Sequence, residues 1–115
     1  MSTPLPALDP ILHQPARTQL VAYLSGRGEA TFSELKRVLG VTDGNLGAHL
    51  AKLTETGYVA ASEAAGRGRA HTVYSLTPAG CTALADYVSR LSSLMAMSAG
   101  NAAVDHPDLA VNGQS

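Results

Sequence analysis

Side chains suited to hydrogen bonding and charge contacts collect on one predicted helix, which covers about residues 42–56. When successive residues are placed at about 100° steps, Asn45, His49 and Lys52 lie along one flank of that helix. An asparagine amide can pair with adenine, and an aspartate such as Asp43 can accept a hydrogen bond from the cytosine amino group. A lysine ammonium group suits a phosphate. These residue types therefore suit contacts with the bases and phosphates of a nucleic acid.

The face of this helix opposite its leucine stripe carries only small residues. The stripe has i, i+4, i+7 spacing and consists of Leu46, Leu50 and Leu53. The opposite face holds Gly44, Gly47, Ala48 and Ala51. Each glycine costs up to about 1 kcal/mol relative to alanine in a helix interior, so an ordinary surface helix has little reason to hold two. We therefore predict that the helix backbone approaches base edges closely, with Thr42 at its leading end; the alternative is a plain solvent-exposed helix.

A loop at residues 64–70 places Arg67 and Arg69 among glycines, between strand-favouring runs at residues 58–63 and 71–76. As the tip of a β-hairpin, this loop would bring two guanidinium groups to a DNA backbone or minor groove. A hairpin tip with two arginines is also common without any ligand. Its position directly after two closely spaced helices favours the DNA-contacting interpretation.

Capping signals delimit the central helices. Thr31, with Glu34 three positions later, has the form of a capping box. Gly40 is suited to end the helix that follows, because glycine adopts the left-handed conformation readily. Thr42 is suited to cap the next helix, and Gly57 to end it.

The N-terminal region predicts less regular structure. A helical pattern begins near Asp9 with Pro10 in its first turn, and Pro15 interrupts that pattern or starts a new helix. The second helical piece covers residues 16–25, and residues 30–32 favour a brief third strand.

The order helix, strand, helix, tight turn, helix and β-hairpin is followed by a last helix over about residues 78–97. It predicts an α+β, mainly α fold: a winged helix-turn-helix with a three-helix core and a two- to three-stranded β-wing, plus N- and C-terminal dimerisation helices. We expect residues 9–97 to form this domain. Residues 1–8 are predicted to be a flexible arm and residues 98–115 a disordered tail.

The last helix carries an apolar seam with 4-3-4 spacing, which is typical of a short coiled-coil contact. The predicted subunit interface combines this seam with two residues near the N-terminus, and its members are Ile11, Leu12, Leu84, Val88, Leu91 and Met95. Because the seam covers only about two heptads, the alternative is that it packs on the core of its own chain.

The composition excludes several classes of protein. A chain of 115 residues with 45% hydrophobic and 15% charged residues suits one compact domain. Its single cysteine, Cys81, excludes an internal disulfide framework, and the histidines lack the spacing of a metal site. Neither a catalytic nucleophile signature nor a phosphate-binding loop is present, so we expect no enzyme activity, metal or cofactor. The absence of a secretion signal and of an apolar run near about 20 residues predicts a cytoplasmic protein without a membrane span.

Three sequence blocks resemble the winged-helix bacterial transcription regulators of the broad MarR/ArsR type. The blocks are LDPILHQPAR from Leu8 to Arg17, the TDGNL…HL…GYV core within residues 32–59, and TVYSLTPAG from Thr72 to Gly80. They are closest to a small stand-alone group of these regulators. Two departures remove positive charge: residues 68–72 replace an Arg-Pro-basic-Thr pattern, and Cys81 stands where a basic residue is common.

This resemblance implies a homodimer that binds double-stranded DNA at a pseudo-palindromic operator and regulates nearby genes. The positions implied to face DNA are Thr42, Asp43, Gly44, Asn45, Gly47, Ala48 and His49, with Arg67 and Arg69 in the wing. The thiolate metal sites of ArsR-type regulators have no counterpart in this sequence, and the sequence identifies no small-molecule effector.

Two alternative functions follow from other features. The net charge of −1 and the small-residue helix face also fit a winged-helix protein-interaction module. Cys81 in the first turn of the last helix, or a pocket beside that helix, fits a redox- or ligand-responsive sensor. Salt-dependent DNA binding would distinguish the regulator from the interaction module, because phosphate contacts release counterions.

Overall fold

The computed structural model describes residues 7–65 and 70–105. Its elements, in chain order, are α1 (Pro15–Arg27), β1 (Glu29–Thr31), α2 (Phe32–Leu39), α3 (Asp43–Thr56), β2 (Val59–Ala65), β3 (Ala70–Leu76) and α4 (Pro78–Asp105). This is the predicted α+β, mainly helical arrangement of a winged helix-turn-helix. Residues 1–6 of the predicted arm and residues 106–115 of the predicted tail lie outside the described residues. Within the described ranges, none of the helices has both the length and the apolar character needed to cross a bilayer.

The helices begin and end at the predicted signals. The Thr31 hydroxyl accepts a hydrogen bond from the Glu34 amide at 3.2 Å, and the Thr42 hydroxyl accepts one from the Asn45 amide at 3.1 Å. Gly40 ends α2 in the left-handed conformation, with φ of 65°. Each cap satisfies backbone groups that a helix end leaves unpaired. Local sequence therefore fixes the bounds of α2 and the start of α3.

The predicted helix at Asp9 is wrong, because residues near Pro10 form a turn. The Asp9 carboxylate accepts a hydrogen bond from the Ile11 amide at 2.8 Å, and its carbonyl accepts one from the His13 amide at 2.8 Å. The helical conformation does not continue from this turn into α1, because Pro15 disfavours helical angles at the residue before it. Gln14 accordingly has φ of −148° and ψ of 122°.

The three strands form one antiparallel sheet in the order β1-β3-β2. Ala30 of β1 lies opposite Tyr74 of β3, and Val59 of β2 lies opposite Leu76. The predicted third strand is confirmed, one residue earlier than expected. The residues between β2 and β3, which include Arg67 and Arg69, lie outside the described residues.

The core lies between α1, α2, α3 and the sheet, as the predicted three-helix core requires. Its buried hydrophobic residues are Leu12, Leu20, Val21, Leu24, Ala30, Leu35, Leu46, Leu50, Leu53, Val59 and Tyr87. Leu12 is 0% exposed. Its assignment to the subunit interface is therefore wrong: the turn after Pro10 directs Leu12 into the core of its own chain.

A corner at Gly57 and Tyr58 anchors the start of α4. The Thr77 hydroxyl donates to the Gly57 carbonyl at 2.5 Å, and the Thr77 amide donates to the Tyr58 carbonyl at 3.0 Å. The same hydroxyl accepts from the Gly80 amide at 3.0 Å. A Cβ at Gly80 would lie 2.2 Å from the Tyr58 carbonyl oxygen, so this position admits only glycine without rearrangement.

The helix that starts at this corner is longer than predicted. α4 continues to Asp105, whereas the sequence pattern predicted an end near Met97. Its first half packs on the core through Ala83, Leu84 and Tyr87. No proline interrupts residues 98–105, and the alanines among them favour helix.

We predict that Gly80→Ala lowers the free energy of unfolding by about 1–3 kcal/mol, because the added methyl group overpacks against backbone. The matched control is Gly26→Ala, since Gly26 also lies in a helix but a Cβ there meets nothing within 4 Å. That control should be neutral or stabilising by up to about 1 kcal/mol. Urea unfolding at one protein concentration measures both variants. Equal stability of the two would contradict the close contact at the corner.

Candidate nucleic-acid interface

The leucine stripe of α3 fixes which side of the helix faces outward. Leu46 and Leu53 are 0% exposed and Leu50 is 4% exposed, so this side is fully inserted in the core. The prediction of one buried leucine stripe is confirmed. Because residues three and four apart share a helix face, the side of α3 opposite the leucines points away from the core.

The outward side of α3 is uncovered by the rest of the described chain. Six of the predicted contact positions are exposed: Thr42, Asp43, Gly44, Asn45, Ala48 and Lys52. Gly47 and His49 are half-buried. A Cβ added at Gly44 or Gly47 would meet no heavy atom within 4 Å. The small residues therefore leave open space beside the helix backbone rather than accommodate a neighbouring element.

An ion pair spans the turn between α2 and α3. Lys36 Nζ lies 2.8 Å from Asp43 Oδ1, and both side chains are largely exposed. Gly40, between the two helices, donates its amide to the Lys36 carbonyl at 2.9 Å. Farther along α3, Lys52 Nζ lies 4.0 Å from Glu55 Oε1.

Charges on the described part of this surface are nearly balanced. Three exposed cations, Lys36, Arg37 and Lys52, are offset by the carboxylates of Asp43 and Glu55. Long-range attraction to DNA depends on local charge density. α2 and α3 alone therefore supply little of it.

His49 lies on the flank of α3 that faces α1. Its Nδ1 is covered and makes no hydrogen bond within the described residues. Burial lowers the pKa of His49 from its ordinary 6.5, and the positive charge of Arg17 lowers it further. Arg17 is held in place because its Nε donates to the Ile11 carbonyl at 2.7 Å. At pH 7 His49 is therefore a neutral hydrogen-bonding group rather than a cation.

A groove of about 510 Å³ separates α3 from the sheet and was not predicted from the sequence. It is lined by Phe32, Gly47, Leu50, Ala51, Thr54, Glu55 and Tyr74. Tyr74 shares a sheet face with Ala30, its partner across the β1–β3 ladder. The strand pairing was the missing information, because the sequence pattern does not show which strand lies beside α3.

The predicted interface residues other than Leu12 lie at or near the surface. Val88 is 52% exposed and Met95 is 63% exposed. Leu84 and Leu91 are half-buried and pack against the core, as does Ile11. The seam therefore divides into residues that support the chain's own core and residues with no partner in the described chain.

Features relevant to the sensor alternative lie near α4. Cys81 is exposed in its first turn. A cleft of about 370 Å³ between the N-terminal turn, α1 and α4 includes His13, Gln14 and Tyr87. His13 Nδ1 lies 3.0 Å from the Tyr87 hydroxyl across this cleft. Among the described residues, no group of three or more potential metal ligands comes together.

Sequence comparison places this geometry among known proteins. Residues 16–95 match the winged helix DNA-binding domain family. The uncharacterized protein MJ0432 of Methanocaldococcus jannaschii is 34% identical over 84 residues, which are 73% of this chain and 91% of that protein.

Solved structures with similar folds include transcription regulators. A transcriptional regulator homologue from Pyrococcus horikoshii OT3 gives a TM-score of 0.69 at 30% identity, covering 74% of this chain and 84% of that one. A protein assigned to the MarR family of transcriptional regulators from Enterococcus faecalis V583 gives 0.65 at 26% identity, covering 81% and 83%. A mutant of MarR from E. coli, solved with operator DNA, gives 0.63 at 23% identity, covering 71% and 58%, and is similar in fold.

We predict that stability falls as pH drops below about 6.5, and that His49→Gln removes part of this loss. The folded chain disfavours protonated His49 whereas the unfolded chain does not, so the unfolded state binds this proton more tightly. The contribution of His49 to the free energy of unfolding is therefore fully present above about pH 6.5, and it is lost as the pH falls below that value. Urea unfolding at pH 7.5 and pH 5 measures the difference. An identical pH dependence of both proteins would contradict the covered position of this ring.

Proposed function

The chain belongs to the winged helix DNA-binding domain family, and we propose that it is a sequence-specific transcriptional regulator that binds duplex DNA as a homodimer. α3 enters the major groove, and the β2–β3 wing contacts the DNA backbone or minor groove. We assign it a binding function rather than a catalytic one. The observation that carries this proposal is the uncovered small-residue face of α3.

The proposed DNA-contacting residues fall into three groups. The leading end of α3 contributes Thr42, Asp43, Gly44 and Asn45, followed by Gly47, Ala48 and His49. Lys52 contacts a phosphate, and Arg67 and Arg69 are assigned to the DNA backbone or minor groove. Because few long donors occupy the middle of this face, close approach of the α3 backbone contributes more than side-chain hydrogen bonds do.

The proposed dimer is supported by the exposed part of α4. Val88, Met95 and Met97 are each about half or more exposed, although methionine and valine favour buried positions. A second copy that packs along the exposed side of α4 would bury them and bring two α3 helices to one duplex. The operator would then be pseudo-palindromic, with half-sites about one helical turn apart. Two weak half-sites would together double the number of phosphate contacts.

We predict that Gly47→Leu weakens DNA binding at least about tenfold without lowering stability. The leucine side chain fills the space that a base edge would occupy, while replacement of a helical glycine favours the helix by up to about 1 kcal/mol. Fluorescence anisotropy with a random-sequence duplex pool, repeated across salt concentrations, measures the affinity. The wild type should lose affinity linearly in a log–log plot against salt.

The matched control is Gly26→Leu, because Gly26 is a helical glycine with the same open surroundings on α1. It should bind DNA as tightly as the wild type. Equal affinities of the two leucine variants would remove α3 from the proposed interface. A wild type without salt-dependent binding would favour the protein-interaction alternative.

We predict that Val88→Asp converts a dimer to a monomer, because the substitution places an unpaired charge in the apolar seam. Val38→Asp is the control, since Val38 is 45% exposed on α2, away from α4. Sedimentation equilibrium at micromolar concentration distinguishes the two states. A dimeric Val88→Asp variant, or a monomeric wild type, would exclude the seam as the subunit interface.

A further inference from the structure

The ion pair between Lys36 and Asp43 joins the two helices of the helix-turn-helix. Lys36 Nζ approaches Asp43 Oδ1 to 2.8 Å, while 48% of the lysine side chain and 72% of the aspartate side chain stay exposed. Exposed ion pairs of this kind contribute little to folding stability. The pair itself therefore adds little stability, and the Asp43 carboxylate is favoured at this position mainly by the positive end of the α3 dipole.

Asp43 places a negative charge at the end of α3 that is proposed to meet DNA. It is the first residue of α3, beside the exposed Gly44 and Asn45. A helix N-terminus attracts anions, and DNA phosphates would bind there readily. The Asp43 carboxylate repels phosphates from this end, and Lys36 reduces the repulsion without removing the carboxylate.

The other described carboxylates near this surface have different positions. Glu55 lies near the far end of α3, with Lys52. Glu34 is hydrogen-bonded to Tyr23 and to Arg27, so it faces α1. Within the described residues, Asp43 is therefore the acidic side chain at the leading end of α3.

We propose that Asp43 is a specificity-determining residue and that Lys36 positions it. The Asp43 carboxylate accepts a hydrogen bond from the amino group of a cytosine in the major groove. Lys36 holds the carboxylate at the leading end of α3. If another base replaces that cytosine, the Asp43 carboxylate loses contact with water and gains no hydrogen-bond donor. If the protein contacts only the DNA backbone, the carboxylate lies near phosphates and is repelled by them. This inference rests on the proposed DNA-binding function and adds the basis of its selectivity.

The test compares two ligands: the duplex that wild-type protein enriches from a random pool, and the unselected pool itself. Asp43→Ala should bind the pool about threefold more tightly, because a negative charge is removed. It should bind the enriched duplex more weakly, so that the ratio of the two affinities falls about tenfold or more. A repeated selection with Asp43→Ala should lose the preference for cytosine at two symmetry-related positions.

Lys36 is tested with Lys36→Met and Lys36→Arg. If Lys36 positions Asp43, the methionine variant lowers the affinity ratio between the two ligands and the arginine variant restores it. If Lys36 only contacts a phosphate, methionine weakens both ligands by the same factor, which would overturn the positioning role. Thermal unfolding checks that both variants fold, as expected for exposed side chains.

DNA binding and cytosine selectivity are tested by different outcomes. A wild-type protein that enriches a sequence, with an unchanged affinity ratio in Asp43→Ala, would overturn this inference and leave the DNA-binding function standing. A wild-type protein that binds neither ligand would overturn both.

Discussion

The structure depends on the insertion of one leucine stripe, Leu46, Leu50 and Leu53, into the core. Each fully buried leucine contributes about 1.5–3 kcal/mol relative to an exposed one. Any rotation of α3 about its axis would expose part of this stripe. The orientation of α3 about its own axis is therefore fixed, and its opposite side, with Gly44 and Ala48, faces outward. Core packing and the proposed interface are two consequences of the same constraint.

A second set of contacts fastens the peripheral parts of the fold to this core. The Tyr58 hydroxyl donates to the Asp9 carboxylate at 2.6 Å. This hydrogen bond, together with burial and nearby negative charge, raises the pKa of Tyr58 to about 12. Tyr58 therefore remains a donor at physiological pH and holds the N-terminal turn. Its carbonyl accepts from the Thr77 amide and packs against Gly80, so one residue links the turn, the sheet and α4.

Local features of the sequence were sufficient for the central elements. Thr31, Gly40 and Thr42 act through hydrogen bonds or backbone angles within a few residues, so their roles follow from residue type and spacing. The anchoring of the N-terminal turn and the burial of Leu12 depend on contacts with distant residues such as Tyr58, 49 positions from Asp9. Sequence periodicity contains no information about such contacts. The groove beside Tyr74 was missed for the same reason.

The described part of the proposed interface combines close backbone approach with nearly balanced charge. This combination favours short-range shape and hydrogen-bonding contacts over general attraction to DNA. The most direct measurement is a set of amide NMR spectra recorded while a duplex that the protein selects is added. We expect the largest shifts at Gly44, Gly47 and Ala48, while Gly26 and Gly80 change little. Shifts confined to α4, with α3 unchanged, would contradict this expectation.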